Sequence, residues 1–162
     1  MTQPVSLHNV VEEMQLVTDG LHTYLNKVSG EIVTITDEHL DAVKSGYDLH
    51  DYSDWEQEAL KEAQKIHASD DYLEFPSQFK IHEYAIMHRF CLAVQDKKRS
   101  AALLDLIEGS GAFRRFKNSI LRNGIEQDWY NFKEQAYKEF SVDWLESNGI
   151  AYTDDMDGSS SR

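Results

Sequence analysis

One segment of the chain combines residue types that suit anion binding: a glycine-rich turn followed directly by a basic helix. The backbone N–H groups at such a helix start have no partner within the helix and point outward at its positive dipole end. Together with the cations of the following two turns, they could hold a phosphate or the carboxylates of a partner. This candidate anion- or partner-binding site comprises Gly109, Ser110, Gly111, Arg114, Arg115, Lys117 and Arg122. The alternative is that the glycines form only a tight interhelical turn and that acidic helices neutralise the arginines.

Helical periodicity predicts which side chains of this basic helix face solvent. At about 100° per residue, Arg115 and Arg122 lie on the outer side, whereas Arg114 and Lys117 flank the apolar stripe with their stems. The stripe itself comprises Phe113, Phe116 and Ile120. A helix, a short glycine-containing turn and a basic helix also form the layout of a helix-turn-helix, in which residues 113–122 would be the recognition helix.

Other groups of reactive residues match no known catalytic or metal-binding pattern. His82 and His88 are six residues apart, so they cannot share the helix face that a zinc-protease motif requires. The loop around Asp48 and His50 lacks the glycine spacing of a calcium loop. Cys91 lies on an apolar helix face and is interpreted as a core thiol. The sequence therefore predicts no metal, no cofactor and no catalytic residue.

The charge of the chain is unevenly distributed along the sequence. Residues 1–79 carry 4 basic and 16 acidic residues, a net of −12, and residues 123–162 carry 3 and 9, a net of −6. Residues 80–122 carry 9 basic and 4 acidic residues, a net of +5, within a total of −13. This basic middle is expected either to form an open patch or to be neutralised by the acidic segments. A strongly acidic chain repels polyanions at long range, which disfavours nucleic acid without excluding it.

The composition is that of a soluble protein of the reducing cytoplasm. A single cysteine cannot form an intramolecular disulfide, and no basic and apolar leader is visible at residues 1–10. No run approaches the roughly 18 apolar residues of a membrane span. We therefore expect a cytoplasmic protein without a membrane partner. The sequence predicts no particular oligomeric state.

The patterning predicts an α+β protein, mainly helical, with one N-terminal β-hairpin. Strands are expected at residues 22–27 and 31–35, and helices follow the capping residues Ser6, Thr36 and Ser53. Further helices are expected over residues 77–94, 99–107, 113–122 and 126–147. Residues 1–152 are predicted to form a single globular domain, and residues 153–162 a disordered acidic and Ser-rich tail.

The C-terminal third resembles a bacterial family that is catalogued only as an uncharacterised protein family. The matching motifs are Gly111–Lys117 (GAFRRFK), Trp129-Tyr130 and Trp144–Ile150 (WLESNGI). Weaker similarity extends to the hairpin and to Phe75-Pro76. The resemblance implies a single-domain cytosolic bacterial protein, and it implies no reaction, cofactor or catalytic residue.

These observations favour a non-enzymatic interaction or regulatory protein that binds a protein partner. The alternatives are a nucleic-acid-binding module that uses the basic helix, an acidic mimic of nucleic acid, and an enzyme. An enzyme would need an active site assembled from residues far apart in sequence. A deep pocket that contains a titratable group with a shifted pKa would favour this last alternative.

Overall fold

The chain folds into two compact units. The computed structural model describes residues 3–156, without the side chains of Gln78 and Phe79. Unit 1 contains the residues up to Gln78 and those from Ser141 onward, and unit 2 contains Phe79–Phe140. The architecture is α+β and mainly helical, as the sequence predicts.

A three-stranded antiparallel sheet in unit 1 contains the predicted hairpin. Strands β2 (Leu21–Asn26) and β3 (Ile32–Thr36) pair across a turn in which Gly30 has a φ of +80°, which glycine adopts at little cost. The third strand, β4 (Tyr72–Glu74), pairs with the other edge of β2 and was not predicted. It is only three residues long, too short to show an alternating pattern.

Strand β1 (Val5–Ser6) pairs in parallel with strand β5 (Tyr152–Thr153), which joins the two ends of unit 1. Two hydrogen bonds to Asp155 reinforce this junction: its carboxylate accepts from the Ser6 hydroxyl at 2.5 Å and from the His8 N–H at 2.8 Å. Residues 153–155 are therefore part of the fold rather than of the predicted tail. Of the rest of that predicted tail, Met156 is described and residues 157–162 lie outside the described residues.

The two helices that flank the hairpin begin at the predicted capping residues. Ser6 caps α1 (Leu7–Gln15), and Thr36 caps α2 (Asp37–Ser45); each side-chain oxygen accepts from the backbone N–H three residues later. Gly46 follows α2 with a φ of +90°, a conformation in which the helix cannot continue. Local hydrogen bonding thus sets these boundaries.

Helix α3 (Asp54–Ala68) follows a 3₁₀ turn at Leu49–Asp51 and differs from its prediction in two respects. The Ser53 hydroxyl donates to the Glu56 carboxylate at 2.9 Å and caps no backbone N–H. By helical periodicity the sequence places Trp55 on one apolar stripe with Leu60, Ala63 and Ile66, but Trp55 is 70% exposed, because the buried face begins one turn later. The buried core around α2 and α3 comprises Ile35, Leu40, Val43, Leu60, Ala63 and Ile66.

Unit 2 begins with a broken helix where the sequence predicts a continuous one over residues 77–94. Helix α4 (Gln78–Ile81) is separated from α5 (Glu83–Ala93) by His82, whose φ of +56° lies in the left-handed region. This conformation is uncommon outside glycine, although histidine is among the more tolerant residues. The local sequence does not predict the break in the helix.

The remaining helices of unit 2 agree closely with the sequence. Asp96 caps α6 (Lys97–Leu106), and α7 (Ala112–Arg122) follows the glycine turn. Helix α8 (Glu126–Ser147) has its predicted bounds and extends from unit 2 into unit 1. Short linkers join α5 to α6, α6 to α7 and α7 to α8.

A cluster of aromatic rings forms the centre of unit 2. Phe116 of α7 lies edge-on to Trp129 of α8, with ring centroids 4.9 Å apart, and both rings are fully buried or nearly so. Phe90 of α5 contacts both of them and Phe132, at centroid distances from 5.4 to 5.9 Å. Edge-to-face pairs at these distances are favourable, so the cluster fixes three helices against one another.

The end of α8, which belongs to unit 1, is a glycine stop, a motif that the sequence Asn148-Gly149-Ile150 predicts. Gly149 has a φ of +67°, its N–H donates to the Glu146 carbonyl at 3.1 Å, and the Ile150 N–H donates to the Leu145 carbonyl at 2.9 Å. Ile150 is buried against the fold, as such a motif requires.

Replacing the buried ring of α7 tests the aromatic cluster. We expect Phe116→Ala to lower the free energy of unfolding by roughly 3–5 kcal/mol, because a fully buried ring leaves a cavity. Leu121→Ala, on the exposed side of the same helix, should change it by less than about 0.5 kcal/mol. Urea titration of both variants measures the difference, and equal effects would contradict the assigned core.

Candidate functional site

The turn between α6 and α7 is closed by the side chain of Arg115. Its Nε donates to the Leu106 carbonyl at 2.8 Å, and its two terminal nitrogens donate to the carbonyls of Ser110 and Glu108, both at 2.6 Å. These carbonyls lie at or just beyond the C-terminal end of α6, where the helix dipole is negative and backbone acceptors lack helical partners. Arg115 therefore braces the turn.

The prediction that Arg115 faces solvent was wrong. Helical phase correctly places its Cα away from the apolar stripe, but the long side chain returns over the preceding turn and becomes half-buried. A guanidinium offers five N–H donors in a fixed planar fork, which suits several carbonyls that converge on one point. Phase alone cannot predict this, because it does not include the neighbouring helix end.

The glycines of the candidate site form a tight turn, which carries two of the carbonyls that accept hydrogen bonds from Arg115. Gly109 and Gly111 have φ values of +78° and +77°, and Gly111 is the residue that precedes the first turn of α7. A Cβ at Gly111 would lie 3.0 Å from the Arg115 guanidinium, so a side chain there would crowd the brace. The anion-binding role of Gly109, Ser110 and Gly111 stays a prediction.

The other cations of the candidate site share one exposed side of α7. We define the α7 basic face as Arg114, Lys117, Asn118, Leu121 and Arg122, all of which are exposed. At 3.6 residues per turn they occupy an arc of about 140°. Leu121, 62% exposed, lies within that arc. The helix thus presents cations around a single apolar side chain.

The cations of this face are not neutralised by other described residues. Arg114, Lys117 and Arg122 form no ion pair with any carboxylate among residues 3–156. Unit 2 carries 11 basic and 8 acidic residues, a net of +3, whereas unit 1 carries 5 and 21, a net of −16. The charge asymmetry of the sequence therefore follows the division into units.

Other residues that the sequence singled out have structural roles. The Asp48 carboxylate accepts from the His50 N–H at 2.9 Å and so caps the 3₁₀ turn. Cys91 is fully buried, as predicted, and burial raises the pKa of its thiol to about 11. Lys133 forms an ion pair with Glu83 at 3.0 Å. Within residues 3–156, no group of three or more His, Cys, Asp or Glu residues could hold a metal ion.

An ion cluster in unit 1 was missed by sequence reasoning. The His22 ring on β2 bonds through Nδ1 to the Glu74 carboxylate at 2.8 Å and through Nε2 to the Asp37 carboxylate. The bond to Glu74 raises the pKa of His22, partial burial opposes this effect, and the bond to Asp37 adds to it. The cluster links β2, β4 and the start of α2. Because β4 was not predicted, the sequence could not place Glu74 beside His22.

The geometry of His22 is that of a structural tie. Both ring nitrogens already bond to carboxylates, so neither is available to a substrate. The neighbouring cleft measures about 100 Å³, well below the 300 Å³ or more that ligand pockets usually provide. A shifted pKa in this position therefore reflects folding rather than catalysis.

Comparisons with known proteins supply a family and a relative. A family model described as an uncharacterised protein family, UPF0158, matches residues 2–161. The UPF0158 protein PA5073 of Pseudomonas aeruginosa is 26% identical over 136 residues, which are 83% of this chain and 78% of that protein. No solved structure matches the chain. Neither the description of the family nor the name of the relative gives an activity.

The contrast between two adjacent arginines is testable. We expect Arg115→Ala to lower the free energy of unfolding by roughly 1–3 kcal/mol, since three charge-assisted bonds to carbonyls are lost. Arg114→Ala should stay within about 0.5 kcal/mol of the wild type, because that side chain is exposed. Thermal and urea unfolding measure both values. Equal stability of the two variants would contradict the brace.

The ion cluster predicts a pH-dependent contribution of His22 to stability. A folded-state pKa above the ordinary 6.5 means that the contribution is complete below that value and is lost as pH rises through the folded-state pKa. The free energy of unfolding lost in His22→Asn should therefore be larger at pH 6 than at pH 9. Urea titration at both values measures it, with His88→Asn, an exposed histidine, as the control. A loss independent of pH would be inconsistent with a charged His22.

Proposed function

The chain belongs to the UPF0158 family, and we propose that it is a binding protein whose α7 basic face recognises an acidic surface on a protein partner. The observation that carries this proposal is the exposure of Arg114, Lys117 and Arg122 without an ion pair among residues 3–156. Bringing carboxylates against these cations adds electrostatic complementarity, which governs specificity and association rate.

The composition of the face supports a protein partner. Leu121 is 62% exposed and lies among the cations, so it can provide the apolar contact that the centre of a protein interface normally contains. Arginine is enriched at interfaces and can bind a carboxylate through two parallel hydrogen bonds. An apolar side chain between Lys117 and Arg122 matches a partner with carboxylates around an apolar depression.

An enzymatic function has less support from the described residues. His22, the titratable group with a raised pKa beside a cleft, has both ring nitrogens engaged. The buried Cys91 thiol has a raised pKa of about 11, so at neutral pH it is not the thiolate that nucleophilic catalysis needs. Neither group supplies a base or nucleophile that a substrate could reach.

The proposed setting is the cytoplasm. The chain has one cysteine, and it is buried and unpaired. Residues 3–156 contain no helix that is both long enough and apolar enough to cross a bilayer. A partner in the same compartment is the simplest source of the acidic surface.

Removal of the cations tests the proposal. We expect affinity-tagged wild-type chain to retain at least one protein from a bacterial lysate of its own organism. A variant with Arg114→Ala, Lys117→Ala and Arg122→Ala should lose at least about tenfold of that protein, because each lost charged contact weakens the complex. Quantitative mass spectrometry of the eluates measures the ratio.

A matched control separates the face from net charge. Lys44→Ala, Lys61→Ala and Lys65→Ala remove three exposed cations from α2 and α3, so this variant should retain the partner as the wild type does. Loss of the partner in both variants would show that total charge is decisive and would overturn the proposal.

A measurement of nucleic-acid binding tests the helix-turn-helix alternative. We expect no micromolar binding to duplex DNA or RNA at ~0.15 M salt, measured by fluorescence anisotropy. If such binding occurs, the log–log salt slope should become shallower by roughly one unit for each phosphate-contacting cation removed from the face. That result would replace the protein partner with a nucleic acid.

A further inference from the structure

A second candidate site is a cleft in unit 2 between α5, α6 and the start of α8. Its volume is about 420 Å³, within the usual range for sites that bind small molecules. None of the residues that line it belongs to the α7 basic face. We call it the Arg99 cleft, and its principal lining residues are Phe90, Val94, Arg99, Ile125, Asp128 and Phe132.

One wall of the Arg99 cleft is apolar. The ring centroids of Phe90 and Phe132 lie 5.5 Å apart with the ring planes inclined at 67°, and Phe90 is held within the aromatic cluster of unit 2. Val94 and Ile125 continue the apolar lining on the connections that flank α6 and α8. Such a wall accepts an aliphatic or aromatic side chain without having to rearrange first.

The polar part of the cleft contains two opposite charges without partners. The half-buried Arg99 guanidinium and the exposed Asp128 carboxylate each form no ion pair or hydrogen bond with any described residue. Asp96 also lines the cleft, but its Oδ1 accepts the backbone N–H groups of Lys98 and Arg99, at 3.0 and 3.2 Å. Arg99 and Asp128 therefore remain available to a ligand.

We propose that the Arg99 cleft binds a small zwitterion with an apolar side chain, of the class that includes leucine and phenylalanine. The ligand carboxylate accepts hydrogen bonds from the Arg99 guanidinium, its ammonium group donates to Asp128, and its side chain packs on Phe90 and Phe132. A ligand with only an anionic group would face the unpaired Asp128, and one with only a cationic group would face Arg99. A zwitterion satisfies both charges.

The probes are L-phenylalanine, L-leucine, phenylacetate and phenethylamine, titrated into the full chain by calorimetry at pH 7. We expect saturable binding of both amino acids, and binding of L-phenylalanine at least about tenfold tighter than that of either single-charge analogue. Each analogue lacks one charged contact and leaves the other protein charge unpaired. Equal affinity for phenylacetate, or no binding of either amino acid, would overturn the proposal.

Two variants test which protein charge binds which charged group of the ligand. Arg99→Ala should weaken L-phenylalanine binding at least about tenfold, because the carboxylate loses a charged donor. Asp128→Asn should also weaken L-phenylalanine but should leave phenylacetate binding unchanged or tighter, since the repelling charge is gone. A merely structural role for Asp128 would weaken both ligands alike and would contradict this assignment.

A matched control and a direct readout complete the test. Lys98→Ala removes the neighbouring exposed cation, which does not line the cleft, and should bind L-phenylalanine as the wild type does. Addition of L-phenylalanine to ¹⁵N-labelled chain should shift the amide resonances of Val94 and Ile125. If the largest shifts occur in α1–α3 instead, the ligand binds elsewhere and the proposal fails. These outcomes do not depend on the α7 basic face.

Discussion

The packing of Phe116 against Trp129 and Phe90 is the contact on which the architecture of unit 2 depends. Once Phe116 points into the core, the phase of α7 is set, and Arg114, Lys117 and Arg122 must point outward. The same cluster fixes Phe90, whose ring also forms a wall of the Arg99 cleft. Both candidate binding surfaces therefore depend on rings of the aromatic cluster, the α7 basic face through Phe116 and the Arg99 cleft through Phe90. Neither needs a dedicated scaffold of its own.

Adjacent cations in this chain have different tasks because of what lies within reach of each side chain. Arg115 meets three carbonyls at the end of α6, and the fixed fork of its guanidinium satisfies acceptors that would otherwise need water or a cap. Arg114, one residue earlier, meets none and stays exposed. The number of basic residues in a helix is therefore only an upper limit on the number of cations that the helix can offer to a partner.

Local signals accounted for what the sequence predicted correctly. Thr36 before two acidic residues set the start of α2, and Gly149 set the end of α8, because capping depends on residues within one turn. The break at His82, strand β4 and the bonds of His22 to Asp37 and Glu74 depend on residues far apart in sequence. The Arg99 cleft also depends on residues far apart in sequence. Its walls come from three helices, and helical periodicity does not specify how those helices pack.

The distribution of charge bears on which partner the α7 basic face can accept. At physiological ionic strength the Debye length is about 8 Å, so a compact acidic patch in contact with α7 interacts mainly with the cations of that face. Helix α7 is only about 16 Å long at 1.5 Å per residue. An extended polyanion reaches well past it and interacts with a larger part of a chain whose net charge is −13. Screening therefore favours a partner whose negative charge is local, and protein surfaces offer such patches, whereas nucleic-acid duplexes are uniformly charged along their length.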